Sequence, residues 1–326
     1  EMNKEIAPDK ISGIYIGLSG RSMRSIPVDV TLNFTDEQVI SENAIEQLRR
    51  KAEEKAVDSS LDVIDAVPRS FRIGNVLTRE PLGNLGKSIH ATYDLIVCRR
   101  QLKKNINRLE LEKRFGLHTN GFIVTPLATG QLVAPDTDKR LGCMLVDLGA
   151  ETTTVTIYKE GDLRYFATLP IGSRNITRDI MSLSVLEETA EDLKQNNVSA
   201  LRSGSNAKAL TIHGINQGEA SEIVAFRAEE IVINIMEQIT YAGLKEKDLP
   251  GGIILMGGGM LLDGMEKLIR ETSKMNVRFG KLPAYITTAG KAPAQETLQA
   301  ISILYAGATG NDAECVSRVT RDLPES

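Results

Sequence analysis

MLVDLGAETTTVTIY (residues 144–158) runs three apolar residues into an aspartate. It continues with Gly149, Ala150, Glu151 and three threonines, and then alternates like a strand. A carboxylate ending a buried strand packs poorly in a core, yet it is well placed to face the crevice where ligands bind in α/β sheets. Gly149 and Ala150 let backbone approach a ligand. Thr152 and Thr153 offer hydroxyls and N–H groups, the donors a phosphate needs, and Asp147 then holds Mg²⁺ through water. The plainer alternative is a hairpin turn whose aspartate caps its own backbone, and this stretch alone leaves both open. Glu151 is the awkward residue, because it sets negative charge where phosphates would lie.

Working outward, KEGD (159–162) is a turn signal and LRYFATLPI alternates again, so 144–171 reads as two or three antiparallel strands. A helix follows from about Asn175 and another over 187–201. On the second, Glu191 and Lys194 stand three apart on one face, either as a surface ion pair or as a pair reaching ribose hydroxyls. SGSNAK marks a loop, and 219–242 reads as a long amphipathic helix ending at Gly243. GGIILMGGGMLLDGMEKLIR (251–270) is a buried strand, three glycines and a helix. Gly257, Gly258 and Gly259 either make a tight strand-to-helix turn or let backbone approach a ring or phosphate. No Gly-Lys-Ser/Thr follows, so this is not a P-loop. A helix is expected over 293–306.

Upstream, ISGIYIGL and PVDVTLNF alternate as strands, and 35–57 carries helix signals with an acidic first turn. Two strand-like runs flank the turn EPLGNLG, making 21–95 one small α+β unit. RRQLKKNINRLELEKRF (99–115) is a basic helix, either a solvated face or a surface for an acidic partner. GFIVTPLA reads as a strand, followed by a short helical piece with a polar turn at PDTDK.

The 326 residues exceed what one core usually serves, so two or more domains are expected. A net charge of -4 gives no reason to expect nucleic acid, and three scattered cysteines with three histidines offer no zinc-ligand spacing. The thiols are expected to be free, in a reducing compartment. No run reaches the roughly 20 apolar residues of a membrane span. Both ends read as cut, so the chain is expected to be part of a longer protein. Mixed strands then helices, twice over, suggest an α/β protein with two related halves.

The three motifs in this order resemble the actin/Hsp70/sugar-kinase ATPase fold. There, a strand-Asp-small-residue turn is the second phosphate motif, a Glu-x-x-Lys helix touches adenosine, and a strand followed by three glycines is the adenosine motif. The nearer resemblance is to the bacterial FtsA cell-division family. It rests on IYIGLSG (14–20), LPIGSRNITRDI (169–180), GLKEKDLPGGIILMGGGMLLDGMEKL (243–268) and APAQETLQAISILYAGA (292–308). The resemblance implies part of domain 1A at 1–20, an SHS2-like subdomain 1C at 21–117 and the remainder of 1A at 118–142. It implies domain 2A at 143–171 and 246–310, subdomain 2B at 172–245 and a tail at 311–326.

It also implies ATP and Mg²⁺ as ligands, with Asp147, Gly149, Ala150, Glu151, Thr152, Thr153, Glu191, Lys194 and Gly257 to Gly259 around them. Further implied are self-association into filaments and a tether between the FtsZ tail and the cytoplasmic membrane at the division site, with Arg227 in AFRAEEI touching that tail. The family's amphipathic membrane helix is not supplied by RVTRDLPES. The superfamily's first phosphate hairpin is expected before residue 11 and is not there, and GLSGRS lacks the preceding acid. Domain 1A thus reads as incomplete and the chain as at most a weak ATPase.

Where the family usually has Gly-Gly-Gly-Thr, this chain has Gly149-Ala150-Glu151-Thr152. Glu151→Gly is therefore expected to tighten ATP binding in a full-length protein. The Gly-Ala-Glu pattern is similar to PilM, the FtsA-like scaffold of type IV pilus assembly, which is the alternative within the fold. A sugar kinase would need a general base facing an acceptor hydroxyl, and no residue here stands out as one.

Overall fold

The computed structural model describes residues 11, 13–55, 58–108, 114, 116–202, 210, 214–287, 297–309 and 316–317. SGSNAK, RVTRDLPES, the end of the basic helix and the start of the helix expected from Pro293 lie wholly or largely outside them. The chain forms two compact units, 1–129 with 299–326, and 130–298.

The first unit contains β1 (Gly13–Leu18), β2 (Arg24–Val39), α1 (Glu42–Glu54), β3 (Leu61–Ile73), β4 (Val76–Thr78), β5 (Leu85–Arg99), α2 (Arg100–Asn107) and β6 (His118–Val124). Antiparallel pairing runs β2-β5-β3-β4. Val30, Leu32, Ile89, Ala91, Tyr93 and Leu95 alternate onto one sheet face and bury against Ala44, Leu48 and Ala52 of α1. Ser41 caps α1, its hydroxyl accepting from the Ala44 N–H at 3.3 Å. The helix expected from Thr35 therefore starts seven residues late. Residues 35–39 prolong β2, whose register against β5 shifts between Asn33 and Gln38, so the polar TDEQ run is an exposed strand irregularity rather than a first helical turn.

β1 and β6 pair in parallel, and the helix Leu298–Thr309 packs on β1. A Cβ on Gly17 would lie 2.3 Å from Ile303 Cδ1, and one on Gly307 would lie 2.5 Å from the Tyr15 ring. The glycine of GLSGRS is thus used for close helix–strand packing. This helix sits with the first unit, whereas the sequence reading placed 246–310 in domain 2A.

The second unit is built from the end of α3 (Thr125–Val133), α4 (Asp136–Leu141), β7 (Cys143–Leu148), β8 (Thr153–Lys159), β9 (Asp162–Leu169), α5 (Ser173–Ile180), α6 (Glu187–Asn196), α7 (Gln217–Tyr241), β10 (Ile253–Met256), α8 (Met265–Ser273) and β11 (Val277–Phe279). Two readings need correction. TPLA belongs to α3, not to the preceding strand, and PDTDK opens α4 after Pro135 rather than forming a turn. The expected antiparallel set is a triplet, and KEGD closes β8 to β9 through Glu160 and Gly161, both at positive φ (59° and 89°). On the other side of β7 the pairing is parallel, β7-β10-β11. Met144, Val146, Leu148, Val155, Ile157, Ile253 and Leu255 meet α7 through Val224, Ala228, Ile231 and Ile235 in one core. That burial fixes β7 and β10 side by side, with their C-terminal ends at the same edge of the sheet.

Candidate functional site

Asp147 stands next to last in β7, in register with Thr154 of β8 and Met256 of β10. The chain leaves β10 at Gly257, with φ 85° and ψ 152°, a conformation that only glycine adopts without strain. A Cβ there would lie 2.4 Å from the Leu148 carbonyl and 2.5 Å from Asp147 Oδ1. Gly259 is closed in by the Leu148 side chain, at 2.5 Å from a Cβ, whereas nothing lies within 4 Å of a Cβ on Gly258. The structure thus brings two motifs about 110 residues apart in sequence into contact across parallel strands, as in the ligand crevices of α/β sheets. Two of the three glycines are required by this contact, and Gly258 faces open space.

The turn between β7 and β8 closes with the Gly149 N–H donating to the Thr152 carbonyl at 2.9 Å. Its remaining carbonyls are turned onto α5. Ser173 N–H donates to Gly149 O at 2.9 Å and Arg174 N–H to Ala150 O at 2.8 Å, so two first-turn donors of that helix are satisfied by the hairpin. Gly172 permits this approach, because its Cβ would sit 2.4 Å from Ala150 O. Thr153 is fully buried and its hydroxyl donates to Ile171 O at 2.7 Å. Its expected role as a phosphate-facing hydroxyl is therefore taken by a structural bond.

Glu151 is half-buried and does not point to an open crevice. Oε1 accepts from Arg178 Nη2 at 3.0 Å and lies 3.4 Å from Arg174 Nη1. The awkward carboxylate is thus compensated on the spot by two guanidiniums of α5. Arg174 also donates to Glu187 Oε1 at the start of α6, at 2.7 and 3.0 Å. The Glu187 hydrogen bond and charge, then those of Glu151, raise the Arg174 pKa above the ordinary guanidinium value.

Glu191 and Lys194 do pair, with Nζ 2.6 Å from Oε1, the lysine side chain 10% and the glutamate side chain 42% exposed. Lys194 is 9% exposed and also donates to the Thr177 hydroxyl at 2.9 Å, which in turn donates to Glu191 Oε2 at 2.7 Å. Burial pushes the Glu191 carboxyl up, yet the hydrogen bonds from Lys194 and Thr177 outweigh it and leave the pKa below the usual 4.5. This stabilisation is present above about pH 4.5 and is lost as the pH falls through the lower folded-state value. Thr177→Val should cost about 1–3 kcal/mol, because it strands a buried ammonium donor. Urea denaturation at neutral pH checks this, and Thr177→Ser should recover most of the loss.

Between the hairpin tip, the start of α5 and α6 opens a cleft of about 850 Å³, lined by Ala150, Ser173, Arg174, Glu187, Glu191 and Lys194 among others. That volume suits a nucleotide-sized ligand. The cleft joins the hairpin to the Glu-x-x-Lys helix, so the third motif meets the first. Among the described residues no group of three or more His, Cys, Asp or Glu side chains could hold a metal ion. Asp147 fits Mg²⁺ only in the manner in which that ion is commonly held, by a single carboxylate with waters and ligand phosphates. Arg174 and Glu187 escaped the sequence reading because nothing in IGSRNIT or in the acids opening α6 distinguishes a cleft-lining residue from a solvated one.

Arg227, expected at a peptide contact, lies on α7 with its fork already engaged. Nη2 donates to Asp179 Oδ1 at 3.1 Å, Nε donates to the other Asp179 oxygen, and Nη1 donates to Glu230.

The family model for Cell division protein FtsA matches residues 144–290, and that for the SHS2 domain inserted in FTSA matches residues 20–97. A Cell division protein FtsA of Porphyromonas gingivalis is 29% identical over 97% of this chain and 66% of its own length. The Bacillus subtilis protein of the same name is 30% identical over 76% of this chain and 59% of its own. The chain therefore spans about two thirds of the length of these curated relatives. Among solved structures, a PilM-PilN type IV pilus biogenesis complex aligns with a TM-score of 0.57 and 16% identity, over 91% of this chain and 77% of the matched one, a likeness of fold alone. The two matched models lie on the two units described above, and the chain belongs to the FtsA cell-division family, with the actin-like ATPase fold.

Proposed function

We propose that the chain is the nucleotide- and partner-binding body of an FtsA-type adaptor, one that binds ATP with Mg²⁺, self-associates and ties the FtsZ tail to the cytoplasmic membrane. The observation that carries the nucleotide part is that one hairpin meets two other motifs, the triple glycine at the sheet end and the Glu-x-x-Lys helix across the cleft. Residues 144–152 and 257–259 meet at the C-terminal ends of β7 and β10, and Ala150 of the same hairpin lines the cleft with Glu191 and Lys194. ATP serves here as a conformational ligand rather than a substrate for rapid turnover. No helix among the described residues is long and apolar enough to cross a membrane, and membrane attachment is proposed through a segment beyond this chain. The PilM-like scaffold reading has the shared fold and the Gly149-Ala150-Glu151 pattern behind it.

The FtsZ tail is proposed to dock on α7. Phe226 and Ile233 are more than half exposed there, one heptad apart, beside Arg227. An acidic residue of the peptide would take the Arg227 fork from Asp179 or Glu230, a bidentate exchange that lysine could not match. Arg227→Ala should weaken a fluorescently labelled FtsZ tail peptide by about tenfold, the size of one charge-assisted contact. Anisotropy titration measures it. Unchanged affinity in a variant that keeps its melting temperature would remove Arg227 from the partner site.

A further inference from the structure

Four carboxylates, Glu187, Glu188, Glu191 and Asp192, line the cleft against two cations, Arg174 and Lys194. Lys194 is not available to a ligand without breaking its bonds to Glu191 and Thr177, since its side chain is 10% exposed and held by both. Arg174 is different. Its side chain is 47% exposed and stands between the hairpin tip and the start of α6, touching Glu151 on one side and Glu187 on the other. Both of its partners can release it at low cost. Glu151 keeps Arg178 at 3.0 Å when Arg174 leaves, and Glu187 is itself 54% exposed and rehydrates. Exposed pairs of this kind contribute little net stability, whereas a guanidinium fork on a phosphate is a strong, bidentate contact.

From this we infer that Arg174 is the residue by which the cleft selects a phosphorylated ligand: held in reserve by Glu187 and Glu151, it transfers to the phosphate chain of a nucleotide entering past Ala150. The backbone already prepares the transfer. The Arg174 N–H is fixed to Ala150 O, so the side chain swings from a point anchored to the hairpin itself. Glu151 then has a role as the group that parks the arginine, and its charge is not a plain obstacle to phosphate.

The inference rests on the nucleotide reading above, and the experiment separates the two. Isothermal titration of the wild-type chain with ATP and Mg²⁺ comes first. Arg174→Ala should weaken ATP at least about tenfold, Arg174→Lys should recover part of that because it keeps the charge without the fork, and Glu151→Gln should tighten ATP by releasing the guanidinium. The affinity for adenosine, which has no phosphate, measured by direct isothermal titration, should be the same in the wild type and in Arg174→Ala, and the melting temperature without ligand should hold. Unchanged ATP affinity in Arg174→Ala overturns the inference alone, as does an equal loss for ATP and adenosine, which would mark a structural strut. A wild-type chain that binds no ATP removes the nucleotide reading and this inference together.

Discussion

Gly257→Ala should destabilise the second unit by about 2–6 kcal/mol and abolish nucleotide binding, while Gly258→Ala should stay within about 0.5 kcal/mol of wild type. The first figure has two sources. The backbone at φ 85° and ψ 152° is strained for any residue with a Cβ, at a cost of about 1–3 kcal/mol. The added methyl would also meet the Leu148 carbonyl at 2.4 Å and Asp147 Oδ1 at 2.5 Å, an overpacking cost of about 1–3 kcal/mol more. Neither neighbour can retreat easily, since Leu148 and Asp147 belong to β7, the strand at the centre of the core, flanked by β8 and β10. Relief would come from moving β10 away from β7, and that movement opens the edge at which the hairpin and the glycines meet. A Cβ on Gly258 has nothing within 4 Å, so its alanine variant isolates ligand approach from stability. Thermal melting with ATP titration checks both. A Gly257→Ala chain that melts like wild type would show that the β7–β10 contact is looser than described, and a Gly258→Ala chain that binds ATP normally would limit the triple glycine to a structural turn.

The second large effect lies in the SHS2 unit. Asp94, in the middle of β5, is 1% exposed and receives Arg69 Nε at 2.9 Å and Nη2 at 2.6 Å. Arg69 reaches it because the register of β3 against β5 shifts between Pro68 and Ser70, a bulge that turns the arginine towards the carboxylate. Asp94→Ala leaves a guanidinium with a 20% exposed side chain facing an apolar gap, and should cost about 3–5 kcal/mol. Replacing both partners by apolar residues of similar volume, Asp94→Leu with Arg69→Met, should recover most of that loss, since the desolvation of the two charges vanishes together. Because the chain has two units, hydrogen exchange in β3 and β5 is the right measurement, with a double-mutant cycle for the coupling. An Asp94→Ala variant with wild-type protection in those strands would refute the assignment.

How legible the molecule was depended on what each residue is near. The hairpin 144–158 and the buried run before Gly257 were readable because apolar alternation and turn residues are local signals, and the core of the second unit enforces them. The boundary of α1 was misread because Thr35 to Gln38 combine helix-like charge with an irregular strand, and only pairing with β5 decides between them. GLSGRS is set aside in the sequence for want of a preceding acid, but sequence cannot show that Ile303, nearly 300 residues away, fills the space over Gly17. Thr153 looked like a ligand donor for the same reason, its partner being the Ile171 carbonyl of a later turn.

By itself the sequence determined most of the strands and helices, though not the start of α1, the TPLA segment or α4, as well as where small residues permit close approach and which family the motifs resemble. The first two follow from periodicity and steric rules that act within a few residues, and the last from the resemblance of whole motifs. Only the tertiary structure decided what the charged side chains do. Glu151 was legible as an anomaly but not as the partner of Arg174 and Arg178, and Arg227 was legible as a cation but not as one already held by Asp179. A charge takes its role from whichever opposite charge the fold brings within hydrogen-bond reach, and in a chain of this length that partner is often set by packing far from it in sequence.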